Sequence, residues 1–122
     1  MVWSFKDTEP IYTQLIDKIK FQIISGEFSP GERLPSVRDF AAEALVNPNT
    51  MQKALSELEK TKLISSSRSS GRFVTEDSNL IKEIRSTLAN EKIREFINNM
   101  NSLGIKKEEI IDSIQHIMKE DI

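Results

Sequence analysis

The sequence predicts a mainly α chain with one small β-hairpin. It reads as a winged helix-turn-helix over residues 1–76, followed by a two-helix segment over residues 77–122. Three observations predict this. Apolar residues recur at helical spacing in separate stretches along the chain. Two of the early stretches are joined by a turn of about three residues, the spacing of a helix-turn-helix. After Lys62 the pattern changes to two short strand-like runs, Leu63–Ser67 and Arg72–Thr75, around a Ser-rich tip.

The chain opens with an aromatic leader, Val2-Trp3-Ser4-Phe5, whose rings are expected to close over a core. Pro10 suits a first helical turn, and Tyr12, Leu15, Ile16, Ile19 and Ile23 then form one stripe. Gly26 supplies a stop, and Ser29-Pro30-Gly31 is turn chemistry. A second, short helix starts at Ser36, which can cap its free amides, with Asp39 placed to reach back. Val37, Phe40, Ala41 and Ala44 give it an inward line, and Leu45-Val46 is expected to fill the interior of the following turn.

The third helix has the clearest start in the chain. Asn47 is a favoured N-cap, and Pro48 at the next position loses no hydrogen bond through its missing N–H. Met51, Ala54, Leu55 and Leu58 form its inner stripe, so Asn49, Thr50, Gln52, Lys53 and Ser56 lie on the other sides. Beyond the hairpin, Asp77 or Ser78 can cap a long helix carrying Leu80, Ile81, Ile84, Leu88, Ile93, Phe96, Ile97, Met100 and Leu103, closed by Gly104. A last helix, about 106–120, carries Ile110, Ile111, Ile114, Ile117 and Met118, with Glu108 and Glu109 where the helix dipole favours acid. Two such helices cannot bury both apolar faces against each other alone.

Composition narrows the chemistry. The 122 residues include no cysteine, which removes disulfides and thiolate nucleophiles and agrees with a reducing cytoplasm. His116 is the single histidine, so neither a His-based metal site nor a Ser-His-Asp triad is expected. Acidic pairs such as Glu57/Glu59 and Glu108/Glu109 have nothing beside them that sets one pKa apart, as acid–base catalysis requires. No apolar run exceeds three residues, so no membrane partner is expected. No enzyme, cofactor or metal is expected.

Net charge is −2, but it is uneven. Residues 1–75 hold 10 Lys/Arg against 9 Asp/Glu, and residues 76–122 hold 7 against 10. Between 47 and 74 five bases face two acids, a local field compatible with phosphate contacts on an acidic protein.

Pro10-Ile11-Tyr12-x-Gln14, Gly26, Pro30-Gly31, Leu34-Pro35-Ser36-x-Arg38, Val46-Asn47-Pro48-Asn49-Thr50, Leu58-Glu59 and Gly71-x-Phe73-Val74 occur in order and in register. Together they resemble the GntR family of bacterial transcription regulators, and the Asn-Pro-Asn-Thr form with a short two-helix tail resembles its YtrA-type branch. The resemblance implies a dimer that binds double-stranded operator DNA, an inverted repeat, through its winged helix. It places Arg38 as a contact from the second helix and Asn47, Asn49, Thr50 and Gln52 at the start of the recognition helix. Arg68, Ser69, Ser70 and Gly71 fall on the wing tip. The sequence departs from the family at Ser69 and Lys62, where glycines are usual, and at Pro48, where many branches carry a base.

The chemistry of these residues supports the same assignment. Asn49 and Gln52 can pair with adenine N6 and N7, while Lys53, Arg33, Ser36 and Thr50 suit phosphates. In the tail, Ile84, Leu88, Phe96, Ile97, Met100, Ile110, Ile114 and Ile117 are the candidate dimerisation residues. The resemblance implies repression of the protein's own operon, one encoding an ATP-binding-cassette transporter, with any effector ligand open. Two other classes stay open on the residues alone: a winged-helix adaptor that binds proteins, and a small-ligand sensor with a site between subunits.

Overall fold

The computed structural model of the chain describes residues 3–67 and 71–120. Its elements are α1 (Ile11–Ile24), α2 (Val37–Ala44), α3 (Pro48–Glu59), β1 (Ile64–Ser67), β2 (Gly71–Val74), α4 (Ser78–Ser102) and α5 (Lys107–Glu120). This is the winged helix-turn-helix with a two-helix tail. Residues through Arg85 form one compact unit and those from Ser86 a second.

In the first unit the helical stripes meet. Leu15, Ile19 and Ile23 of α1, Phe40, Ala41 and Ala44 of α2, and Met51, Ala54, Leu55 and Leu58 of α3 are buried together. Each large aliphatic side chain so buried contributes about 1.5–3 kcal/mol. Tyr12, Ile16 and Val37, expected on these stripes, are half-buried at their margins. Leu63, Ile64 and Val74 extend the core beneath the hairpin, and Ile81 from the first turns of α4 adds to it.

The leader is tied down by Gln14, which is buried. Its side-chain oxygen accepts from the Lys6 amide at 2.8 Å, and its Nε2 donates to the carbonyls of Lys6 and Glu9 at 2.8 and 2.9 Å. Trp3 consequently lies edge-on to Phe40, which meets Phe28 in the same manner on another side.

β1 and β2 pair antiparallel with Ser65 opposite Phe73 and Ser67 opposite Gly71. Gly71 is therefore the first residue of β2 rather than part of the tip. The remaining tip residues expected from the sequence, Arg68, Ser69 and Ser70, lie outside the described residues. The segment 31–34, of which the sequence marked only Gly31 as part of a turn, runs antiparallel beside β2 with an isolated bridge between Arg33 and Phe73. The amides of Gly31 and Leu34 donate to the carbonyls of Val74 and Arg72, and the Val74 amide donates to Glu32.

The turn between α2 and α3 differs from expectation. Leu45 does not fill its interior but is 91% exposed, with φ 57° and ψ 45°, and Val46 is half-buried. The Leu45 amide donates to Ala42 and the Val46 amide to Ala41, closing the helix end. That closure requires a left-handed residue between them, which turns the Leu45 side chain outward. At Gly104 the same pair of bonds closes α4: its amide donates to Asn101 and that of Ile105 to Met100, with φ 82° at the glycine. Asp77 is the cap of α4, its carboxylate accepting from the Leu80 amide at 3.0 Å.

Candidate nucleic-acid interface

The start of α3 is built by its own sequence. Asn47 accepts from the Asn49 amide through Oδ1 at 2.7 Å, and Pro48 takes the first helical position. With the Met51/Ala54/Leu55/Leu58 stripe buried, Asn49, Gln52 and Lys53 are exposed and Thr50 is half-buried beside them. On α2, Ser36 Oγ accepts from the Asp39 amide at 3.1 Å, and Arg38 is exposed on the first turn, away from Phe40 and Ala41. Ser36 and Asn47 thus both act as helix caps, with their acceptor oxygens already engaged.

Three of the residues assigned from sequence have partners within the protein. Lys53 Nζ sits 4.6 Å from the centre of the Tyr12 ring, a cation–π contact that ties the outer side of α3 to α1. Arg33 runs along Gly71: a Cβ there would lie 3.5 Å from Arg33 Nε, an ordinary van der Waals contact. Gln52 Oε1 accepts from Arg72 Nη1 at 3.3 Å, joining the helix to the hairpin.

Arg72 is the centre of a polar bridge that the sequence reading missed. Its Nε donates to Glu59 Oε1 at 2.7 Å, and the Ser66 hydroxyl donates to the same carboxylate. The Ser66 hydrogen bond, followed by the hydrogen bond and charge of Arg72, holds the Glu59 carboxyl below its ordinary value. Two signals mark the bridge in the sequence. Glu59 stands seven residues after Gln52, on the same side of the helix, and Arg72 alternates with Phe73 on a strand that pairs Ser66 directly opposite Arg72.

Among the described residues no group of three His, Cys, Asp or Glu side chains is placed to hold a metal ion, and no helix is long and apolar enough to cross a membrane.

In the second unit an apolar groove of about 620 Å³ is lined by Ile93, Phe96, Ile97, Ile110, Ile111 and Ile114, with Asn101 and Lys107 at its margin. Phe96, Ile97, Ile114 and Ile117 are exposed, and Met100 is half-buried. Ile110 is different, being buried within the chain itself. Leu88, higher on α4, is half-buried, as is Ile84 on the part of α4 that belongs to the first unit.

A helix-turn-helix with a polar, exposed second helix, braced by a hairpin, is a winged-helix domain. The family model for bacterial regulatory proteins of the gntR family matches residues 11–74, and the chain belongs to that family. The HTH-type transcriptional regulator YhcF of Bacillus subtilis is 36% identical over 112 residues, covering 92% of this chain and 93% of the relative. The HTH-type transcriptional repressor YtrA of the same organism is 32% identical over 113 residues, covering 92% and 87%. Among solved structures, a GntR family transcriptional regulator from Listeria monocytogenes matches with a TM-score of 0.85 at 38% identity, over 92% of this chain and 98% of that one. A transcriptional regulator from Oenococcus oeni matches with a TM-score of 0.79 at 31% identity, over 97% of each chain.

Proposed function

We propose that the protein is a dimeric repressor that reads an inverted-repeat operator upstream of its own operon. The observation that carries this is the start of α3, where a capped, rigid helix end presents Asn49, Thr50, Gln52 and Lys53 outward above a fully buried stripe. Asn49 and Gln52 read base edges, while Lys53, Arg33 and Arg38 meet phosphates and fix the register. Ser36, Asn47, Thr50 and the hairpin residues Arg68, Ser69, Ser70 and Gly71 complete the contact set. Repression is the activity named for the relative YtrA. The likeness to that branch extends the proposal to an operon encoding an ATP-binding-cassette transporter, and to a cytoplasmic location.

Dimerisation uses the exposed groove of the second unit. Phe96, Ile97, Ile114 and Ile117, with Met100 beside them, form an apolar patch that a second copy covers by presenting the same surface. Leu88 extends it along α4 and Ile110 supports it from beneath, while Ile84, in the first unit, is a further candidate contact. Two winged helices joined in this way read half-sites about one helical turn, ~34 Å, apart.

The test is a gel shift of the full-length protein on DNA from upstream of its own gene, at increasing salt. Counterion release makes the logarithm of the binding constant fall linearly with that of the salt concentration. Binding that ignores salt, or no binding, overturns the reading in favour of a protein-binding adaptor. Deletion of the gene is expected to raise the operon's transcript, and a fall would make the protein an activator.

A further inference from the structure

We propose that Arg72 is a positioning residue for sequence reading: it fixes which way round the Gln52 amide faces, so that Gln52 offers only N–H donors to DNA. The inference rests on the reading of α3 as the helix that enters the major groove.

The chemistry of the pair leaves one arrangement. A guanidinium has five N–H donors and no acceptor, and it stays charged at every accessible pH. Only the carbonyl oxygen of Gln52 can stand 3.3 Å from Arg72 Nη1, because the amide nitrogen there would set N–H against N–H. Arg72 is itself held. Its planar group is anchored through Nε on Glu59 at 2.7 Å, and Glu59 is anchored in turn by the Ser66 hydroxyl across the hairpin. The Arg72 side chain is largely buried, so it has few alternative positions. One plane therefore connects the hairpin to two side chains of α3, Glu59 and Gln52, and leaves Gln52 exposed at its other end.

The orientation decides which base is preferred. An unconstrained glutamine pairs with adenine by accepting from N6 and donating to N7. With its oxygen turned back to Arg72, Gln52 keeps only the NH₂ group for the groove. Adenine then sets its own N6 donor against that group, whereas guanine presents two acceptors, O6 and N7, side by side. Gln52 is therefore a guanine reader in this protein, and the polar bridge makes it one.

The experiment is selection of bound sequences from an operator library by the full-length protein and by Gln52→Ala, Arg72→Met and Glu59→Ala variants. The wild type is expected to prefer guanine at one position in each half-site, and Gln52→Ala to lose the preference there. Arg72→Met and Glu59→Ala, by different routes, release the amide, and each is expected to move that position toward adenine by about tenfold. The Glu59 variant keeps the guanidinium charge and so separates orientation from electrostatics. An adenine preference already present at the Gln52-dependent position in the wild type overturns the inference. So does an Arg72→Met protein that weakens all sequences alike with a shallower salt slope, which makes Arg72 a phosphate contact. A Gln52→Ala profile unchanged at every position overturns the underlying reading of α3 itself.

Discussion

The two units of this protein treat their apolar side chains in opposite ways. In the first, Leu15, Ile19, Phe40, Met51, Leu55 and Leu58 are buried almost completely by elements of the same chain. In the second, Phe96, Ile97, Ile111, Ile114 and Ile117 remain exposed, and Ile110 is buried. Amphipathic pattern alone does not decide this, since α5 is as clearly amphipathic as α3, although the apolar residues of α4 are spread more evenly round the helix. The difference is the number of neighbours. In the first unit α3 packs on α1, on α2 and on β1, whereas the groove of the second unit is lined by α4 and α5 alone. One unit is complete in a single chain, and the other calls for a partner surface.

The comparison is broken most severely by charging the exposed groove. A Phe96→Glu, Ile114→Glu double variant is expected to be monomeric by sedimentation and to lose operator affinity by about 10²- to 10⁴-fold, since the second binding event is no longer intramolecular. The first unit should melt unchanged in the same protein. Retention of the dimer, or full-strength binding by a monomer, rejects the division of roles.

A smaller effect separates the two kinds of burial. Leu55→Ala removes side-chain atoms from a filled core and is expected to cost about 2–5 kcal/mol in chemical denaturation, whatever the protein concentration. Ile117→Ala acts on an exposed face that the proposed dimer covers, so its effect on melting temperature should vary with protein concentration. A concentration-independent loss at Ile117 places that residue in an intrachain core instead.

Much of this was readable in the sequence, because it rests on local rules. Ser36, Asn47 and Asp77 cap helices as their residue types dictate. The Met51/Ala54/Leu55/Leu58 stripe is buried as its spacing requires. Long-range pairings were less legible. The Gln52–Arg72–Glu59–Ser66 bridge joins positions from two elements, and each member alone looks like an ordinary surface residue. The bridge of residues 31–34 to β2 was hidden for the same reason. Leu45 misled differently: a leucine reads as an interior residue, and only the geometry of the helix end puts it outside.

That geometry supplies the next prediction. Leu45 and Lys62 hold φ of 57° and 68°, a conformation that Gly104, at the end of α4, adopts without a Cβ. Left-handed backbone costs an L-residue about 1–2 kcal/mol, partly offset by the lower entropy of its unfolded state. Leu45→Gly and Lys62→Gly are therefore each expected to stabilise the first unit by up to about 1 kcal/mol. Gly104→Leu should destabilise the second unit by a similar amount. A loss of stability at Leu45→Gly would show that the exposed leucine makes contacts that outweigh its strain.

The smallest expected effect is confined to the first unit and is set by pH. Ser66 and Arg72 hold the Glu59 carboxyl below its ordinary value, so the folded protein binds this proton less readily than the unfolded chain. The resulting stability is fully present above the ordinary carboxylate value and is lost as pH falls through the lowered folded one. A partly exposed pair of this kind contributes about 0–1 kcal/mol. Glu59→Gln should consequently be slightly less stable than the wild type near neutrality and should converge with it in acid. Trp3, the single tryptophan, packs against Phe40 and so reports unfolding of the first unit. Urea titrations followed by its fluorescence between about pH 6 and pH 3 isolate this unit from the acidic residues of the tail. A difference between the two proteins that stays constant through acid would mean that Glu59 stabilises the bridge by geometry rather than by charge. The wing would then be held to α3 equally firmly with either side chain.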